Sequence, residues 1–530
     1  MPVSLTTPAN DTAPSPRNRA NRLAALLADM LADAQTKNGD FPQHGFYAAA
    51  FAIALWHGLD PGKYQTAITQ AIHALRKQDD GNKYHREFIE FALSQTMAFR
   101  ANQRREILRR KPWQNARVGN WLILRMVCLE KGGVISRLAA KVLWRFIDGK
   151  FRDGAAFLDR PGCFSAQYHA FCAALLTFSQ QPACQQAGLD AAKLINDITR
   201  QSGHANLIGR GAGQSFGIVS AIYALLHAGF DRPAEKLLDQ IEQSLLAHQN
   251  LPLNLLADPS DDASDEANAR RKPGWYSYNR HYDYLAFAGF FLMRAGQLPE
   301  RKAATLPQTS KPIAPIPAPK IFRITRGETY CAQMTLAGKS PYDVAPMPVV
   351  TSAQGDIILP PCGGEQDFIS LYNSRSLPLP ILLPAPKGVL RCATPSSATY
   401  RGDIFLMPFE IGRYAGQREI RFSPFEITFT DQIFAFNQPD DTDHTDNTGL
   451  TARLFRLFIP QNLVAERQSE TCIIFPQQGL QVNADTTLHL TPSHHFSALG
   501  RVQVLFCQLP YAPETGCCAT MTMCWRRGDR

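Results

Sequence analysis

Four stretches of this 530-residue chain combine titratable rings, amides and a cation in patterns that a packed core does not require. Asp153-Gly154-Ala155-Ala156-Phe157-Leu158-Asp159-Arg160 leads to Tyr168-His169 at the head of an apolar run from Ala170 to Phe178. An imidazole titrates near neutral pH, and a phenol does so when a cation stands beside it, so this pair could move protons. The same two rings could instead close a helix end by hydrogen bonding. Between Trp113 and Trp121, Asn115 and Asn120 precede an apolar helix. Asn120 suits an N-cap, or an amide that donates to a bound carboxylate, with Trp121 beside it. Ile208 to Gly217 sets Gly209, Gly211 and Gly213 around Arg210 and Gln214. No Gly-Lys-Ser/Thr follows, which excludes a nucleotide phosphate loop. Glycines there would let a ligand approach the backbone, and Arg210 could hold a carboxylate with a two-bond fork.

The fourth stretch, Trp275 to Tyr284, holds Tyr276, Tyr278, Arg280, His281, Tyr282 and Asp283. Aromatic faces stack on sugar rings while their hydroxyls bond sugar hydroxyls, so the composition suits a glycan subsite. It also suits the start of an amphipathic helix. Tyr84-His85-Arg86-Glu87 with Glu90 reads more simply as a charged helix face.

All of these must be positioned by helices. Apolar residues recur at three and four spacing over Leu23–Ala34, Gly45–Trp56, Ala67–Leu75, Phe88–Phe99, Asn120–Leu129, Ile135–Phe146, Ala170–Phe178, Ala191–Ile198, Phe216–Leu226, Ala234–Leu246 and Tyr282–Ala295. Helices of this length with short joins predict an α/α array such as a toroid, with the polar stretches at loop-to-helix junctions along one rim. The acidic segment Asp258–Ala269 interrupts the pattern as a surface loop. Five prolines between Pro307 and Pro319 mark a stiff spacer over 299–320. Beyond it the period changes to short β-branched and aromatic runs, among them Tyr330–Leu336, Glu426–Phe436, Leu454–Ile459, Val502–Leu509 and Ala519–Trp525. The expected organisation is a multidomain α-then-β chain. It has a disordered lead over 1–20, an N-terminal (α/α) toroid over 21–298, the spacer, and a C-terminal antiparallel β-sandwich over 321–530.

Composition bounds the partners. The formal charge of +9 serves solubility alone or attraction to a polyanion; no long basic tract or nucleic-acid motif supports nucleic acid as that partner, and an acidic polysaccharide is another candidate. No run of about 18 apolar residues occurs, so neither a membrane span nor a membrane partner is expected. The twelve cysteines form no CxxC pair, and no metal motif or cofactor site stands out. Scattered thiols and no apolar export signal in the first residues give a cytoplasmic expectation.

In order, Asn120-Trp121, then Asp153, Gly154, Phe157 and Tyr168, then Gly209-Arg210, resemble the motifs of the (α/α)-toroid polysaccharide lyases. That group includes the chondroitin AC, hyaluronate and xanthan lyases and the heparinase II/III relatives. The resemblance implies β-elimination at a uronate. Asn120 or Asn115 would neutralise the carboxylate, Tyr168 with His169 would handle the protons, and Arg210 would assist. Trp121, Gln214, Tyr276, Tyr278, Arg280, His281 and Tyr282 would contact the glycan. In the chondroitin branch a histidine follows the Asp-Gly segment; here Asp159-Arg160 occupies that place and His169 adjoins Tyr168, as in the heparinase branch. Two alternatives remain at this stage. One is a glycoside hydrolase, for which Asp153 with Asp283 is the first carboxylate pair to consider among Glu87, Glu90, Asp153, Asp159 and Asp283. The other is a glycan-binding protein without catalysis.

Overall fold

The computed structural model describes residues 14–43, 45–78, 85–97, 99, 101–109, 111, 113, 117–256, 280–300, 318–336, 347–361, 380–383, 391–396, 398–435 and 450–526. The acidic segment Asp258–Ala269, Asn115, Tyr276, Tyr278 and most of the proline spacer lie outside these residues.

Twelve helices come first among the described residues. They are α1 (Pro16–Ala34), α2 (Ala48–Leu59), α3 (Gln65–Lys77), α4 (Arg86–Ser94), α5 (Ala101–Leu108), α6 (Gly119–Glu130), α7 (Val134–Lys150), α8 (Ala166–Leu176), α9 (Pro182–Ser202), α10 (Ser215–Ala228), α11 (Asp231–His248) and α12 (His281–Gly296). The even-numbered helices form a closed inner ring. α2 packs on α4, α4 on α6, α6 on α8, α8 on α10, α10 on α12, and α12 returns to α2. The odd-numbered helices lie outside, each against an inner neighbour, with α1 closing the outer layer between α12 and α11. This is an (α/α) toroid.

Sequence periodicity explains the two layers. Inner α2, α8 and α10 are apolar on every side, and all eleven residues of α8 are buried. A helix that is hydrophobic all round must be surrounded. Outer α3, α9 and α11 carry polar faces and bury one stripe each. Phe51, Phe91, Phe171, Phe287 and Phe291 meet in the ring's centre, with centroid separations of 4.5–6.4 Å. The polar helix α5 has no clear apolar stripe, which is why periodicity missed it.

The Asp153 segment is not a loop. Arg152–Asp153 (β1), Ala156–Arg160 (β2) and Cys163–Phe164 (β3) form a small antiparallel sheet inserted between α7 and α8, with Gly154 at positive φ in the first turn.

The second half is antiparallel in all its described pairings and divides into four-, five- and nine-stranded sheets. The four-stranded sheet begins at Phe322–Arg326. Strands such as Ile404–Ile411 and Tyr414–Phe422 alternate buried and less buried residues, as a half-covered sheet demands. The second hydrophobic core does not stop at the spacer. It joins Phe164, Leu194, Leu207 and Ile208 of the helical half to Phe322, Tyr330 and Val350 of the sheets. Phe164 stacks on Phe322 at 4.9 Å, and Asp153 accepts from the Lys320 and Ile321 amides.

Candidate functional site

The amino ends of all six inner helices converge on a cavity of about 300 Å³. Each helix sends residues into it from its first turn or from the loop just before. Phe46 and Tyr47 precede α2, His85 precedes α4, and Asn120 and Trp121 open α6. Tyr168 opens α8, Arg210 and Phe216 flank the start of α10, and Arg280, Asp283 and Tyr284 begin α12. The positive ends of six helix dipoles point at the cavity, so it favours an anion before any side chain is counted.

Tyr168 and Arg210 are fixed together. Ser165 caps α8, accepting from the Tyr168 amide, and its hydroxyl donates to the Arg210 carbonyl at 2.7 Å. The Arg210 guanidinium lies 4.3 Å from the Tyr168 ring centroid. Its fork is engaged by Asp159, Nε to Oδ2 at 3.0 Å and Nη2 to Oδ1 at 2.8 Å. The expectation that Arg210 offers this fork to a substrate carboxylate is therefore corrected: β2 supplies the carboxylate that holds it. Gly209 and Gly211 both have positive φ, and a Cβ on Gly211 would lie 2.3 Å from Gln167 Nε2. The glycines thus admit the chain's own α8, not a ligand.

His169 is placed away from the cavity. It is fully buried, its Nδ1 accepts from the Phe157 amide at 3.0 Å, and Nε2 faces the Ala191 carbonyl at 3.2 Å. Burial lowers its pKa to about 4. Adjacent residues on a helix point about 100° apart, so Tyr168 and His169 cannot share one face. The proton-handling role expected for His169 is withdrawn on this geometry.

His85 stands in the cavity instead. Its ring stacks on Phe46 at 4.6 Å and meets the edge of Trp121 at 4.8 Å. Burial holds its pKa down to about 4, leaving a neutral imidazole at physiological pH. By its neighbours in the chain this residue reads as part of a charged helix face; Phe88 and Phe91 after it at helical spacing are the signal that its turn faces inward.

Asn120 is almost fully buried at the cavity wall, and its Oδ1 has no hydrogen-bond partner among the described residues. It sits inside α6, whose N-cap is Val118, so it does not cap the helix. Asp283 accepts from the amides of Phe46, Tyr47 and Ala48 at 2.7–2.8 Å and so caps α2 from α12. Burial pushes its carboxyl up to about 6 against those three donors. The same burial, with Asp283 nearby, raises the Tyr47 phenol well above its usual range.

Of the expected glycan contacts, Trp121 and Arg280 line the cavity. Gln214 is buried behind it and accepts from the Tyr284 hydroxyl at 2.9 Å. His281 pairs with Asn250 at 3.0 Å, and Tyr282 stacks on Phe41 at 5.7 Å. Those three serve the frame and not the wall. The hydrolase pair is not assembled either. Asp153 holds the spacer's end, Glu87 pairs with Arg125 and Glu90 with Arg86, which leaves Asp283 as the carboxylate among the lining residues. No group of metal-ligating side chains is found among the described residues.

No protein-family model and no curated protein sequence matches the chain. Among solved structures, the chondroitin AC lyase of Streptomyces coelicolor A3 aligns over 98% of this chain and 80% of its own, at 10% identity and a TM-score of 0.47. The heparan sulfate lyase of Pedobacter heparinus aligns over 98% and 85%, at 10% identity and a TM-score of 0.30. A type II terpene cyclase from Scytonema aligns with 53% of this chain and 98% of its own, at 12% identity and a TM-score of 0.34. In layout, a helical toroid followed by antiparallel sheets, the chain is similar to the toroid polysaccharide lyases.

Proposed function

We propose that the chain is a polysaccharide or oligosaccharide lyase that cleaves a uronate-containing glycan by β-elimination. The observation that carries this reading is the gathering of Tyr168, His85, Asn120 and Arg280 around one electropositive, aromatic-walled cavity whose single lining carboxylate is occupied as a helix cap. Trp121, in the cavity wall, is the aromatic group for a sugar ring. The substrate carboxylate takes the Asn120 amide and the Arg280 charge, with the converging helix ends behind them. That neutralisation stabilises the enolate-like charge formed when the C5–H bond breaks. Tyr168 or the neutral His85 removes the C5 proton. Electrons from that bond form the C4–C5 double bond as the C4–O bond breaks, and the departing oxygen takes a proton from the same or the other group. Arg210, clamped by Asp159, orients the Tyr168 ring.

The test is incubation with hyaluronan, chondroitin, heparan and alginate fragments, following the ultraviolet absorbance of the unsaturated uronate. Appearance of that chromophore supports elimination. New reducing ends without it would assign hydrolysis, and neither signal across the panel would leave a binding protein; either result overturns the proposal.

A further inference from the structure

Outer helix α7 is apolar on the wrong side. Ala140, Trp144 and Ile147 bury one face, and α7 packs against α6. Yet Val134, Ile135, Leu138, Val142 and Phe146 are 75, 86, 62, 62 and 51% exposed. The fourfold spacing of 134, 138, 142 and 146 draws a continuous stripe about 18 Å long on the side that faces away from the ring. Isolated exposed apolar residues need no account, but a row of five along one helix does.

The charges around the stripe are one-sided. Arg137, Lys141 and Arg145 are exposed along one edge, and Lys131 and Lys150 stand at the two ends. The exposed acid on this helix is Asp148, and it pairs with Arg152. At the carboxyl end the stripe opens into a second cavity, of about 430 Å³. Leu122, Phe146, Phe151 and Pro161 wall it, and Arg117 and Lys150 complete its lining.

We infer that α7 lays this face on an anionic lipid surface, with the apolar row in the acyl boundary and the cations at the headgroups. The pattern is that of an in-plane interfacial helix: a wide apolar face, bulky residues on it, and Lys/Arg along its border. The adjoining cavity, apolar with two cations, has the chemistry to take the upper part of one acyl chain beneath its headgroup. An antiparallel pair with a second copy would set Arg137, Lys141 and Arg145 beside the same row of the partner, like charge against like charge. No described helix is long and apolar enough to cross a bilayer; the contact inferred for α7 is an in-plane one. It revises the expectation of no membrane partner and is independent of the proposed chemistry.

Flotation of the full chain with phosphatidylcholine vesicles, with and without phosphatidylglycerol, tests it. Binding is expected to the mixed vesicles, to be much weaker to phosphatidylcholine alone, and to fall as salt rises. Leu138→Asp combined with Val142→Asp should lower the vesicle partition coefficient roughly tenfold or more without changing the melting temperature by more than a few degrees, since both side chains are exposed. Arg137→Gln with Lys141→Gln should weaken binding to mixed vesicles while leaving the apolar row intact. Arg280→Gln, in the toroid cavity, should bind as the parent does; loss of binding there would place the lipid headgroup in that cavity and overturn the inference. So would absence of binding to mixed vesicles, or equal binding by the Leu138/Val142 variant. A dimer that dissociates on those two substitutions, with no vesicle binding, would assign the face to a second copy.

Discussion

Tyr168 differs from the other tyrosines of the cavity in its neighbour. Tyr284 gives its hydroxyl to Gln214, and Tyr47 lies deep beside Asp283. Tyr168 has a guanidinium over its ring, held there by a buried carboxylate. Removing only its hydroxyl, in Tyr168→Phe, should cost roughly 10²–10⁴-fold in kcat with little change in KM or melting temperature, the range for loss of an acid–base group. Near-parental turnover would reassign proton abstraction to His85. Asp159→Asn should leave Arg210 without its charged fork and lower kcat through misplacement of Tyr168. If that variant keeps full kcat, the clamp has no positioning role. His169 belongs to stability. Its folded pKa of about 4 lies below the ordinary 6.5, so the unfolded chain binds the proton more readily between those values. Its contribution is complete above pH 6.5 and is lost as pH falls toward 4, by about 3 kcal/mol. Melting curves of the parent and His169→Gln should therefore converge on acidification; a constant difference from pH 7 to pH 4 would contradict the burial argument.

At the scale of elements, the site depends on short connections under close steric control. The loop before α10 turns through Gly209, Gly211 and Gly213, each at positive φ, to deliver Arg210 against the start of α8. Gly211→Ala would combine a left-handed backbone with a contact at 2.3 Å on Gln167. It should destabilise by about 1–3 kcal/mol and reduce activity more than a surface change of equal stability cost. Asp283 plays the corresponding part for α2, reaching from the next inner helix to cap amides that no local side chain serves. Both devices bind neighbouring helices of the ring to one another at the end where the cavity lies.

For the whole molecule, the shared core decides how the halves behave. Leu207, Ile208 and Phe164 from the toroid pack with strand residues from beyond the spacer, and His204 bonds the Gly355 carbonyl at 2.8 Å. Apolar surface of this kind cannot be left open without loss of solubility. Thermal unfolding should thus give one cooperative transition, seen alike by helix and sheet signals in circular dichroism. Two well-separated transitions would mean that the halves fold as independent units. A chain truncated at residue 300 should expose the Phe164 surface and bind a hydrophobic dye that the full chain does not.

The sequence by itself determined the helical and strand halves, because a period near 3.6 and a period of two record which faces each element must bury. Eleven of the twelve described helices and the first strand of the sheets were legible in this way. Tertiary structure decided which side chains at those starts meet. His169 and Tyr168 are neighbours in the chain, yet a helix turns one toward α9 and the other into the cavity, while His85, 83 positions before Tyr168, comes to the same wall. Asp159 and Arg210 found each other across 51 residues, and α7 proved to carry an apolar row facing away from the protein's own core. Local pattern fixes what an element needs to cover. Only the packed ring fixes what covers it, and the residues left facing the cavity and the outside are those that packing did not use.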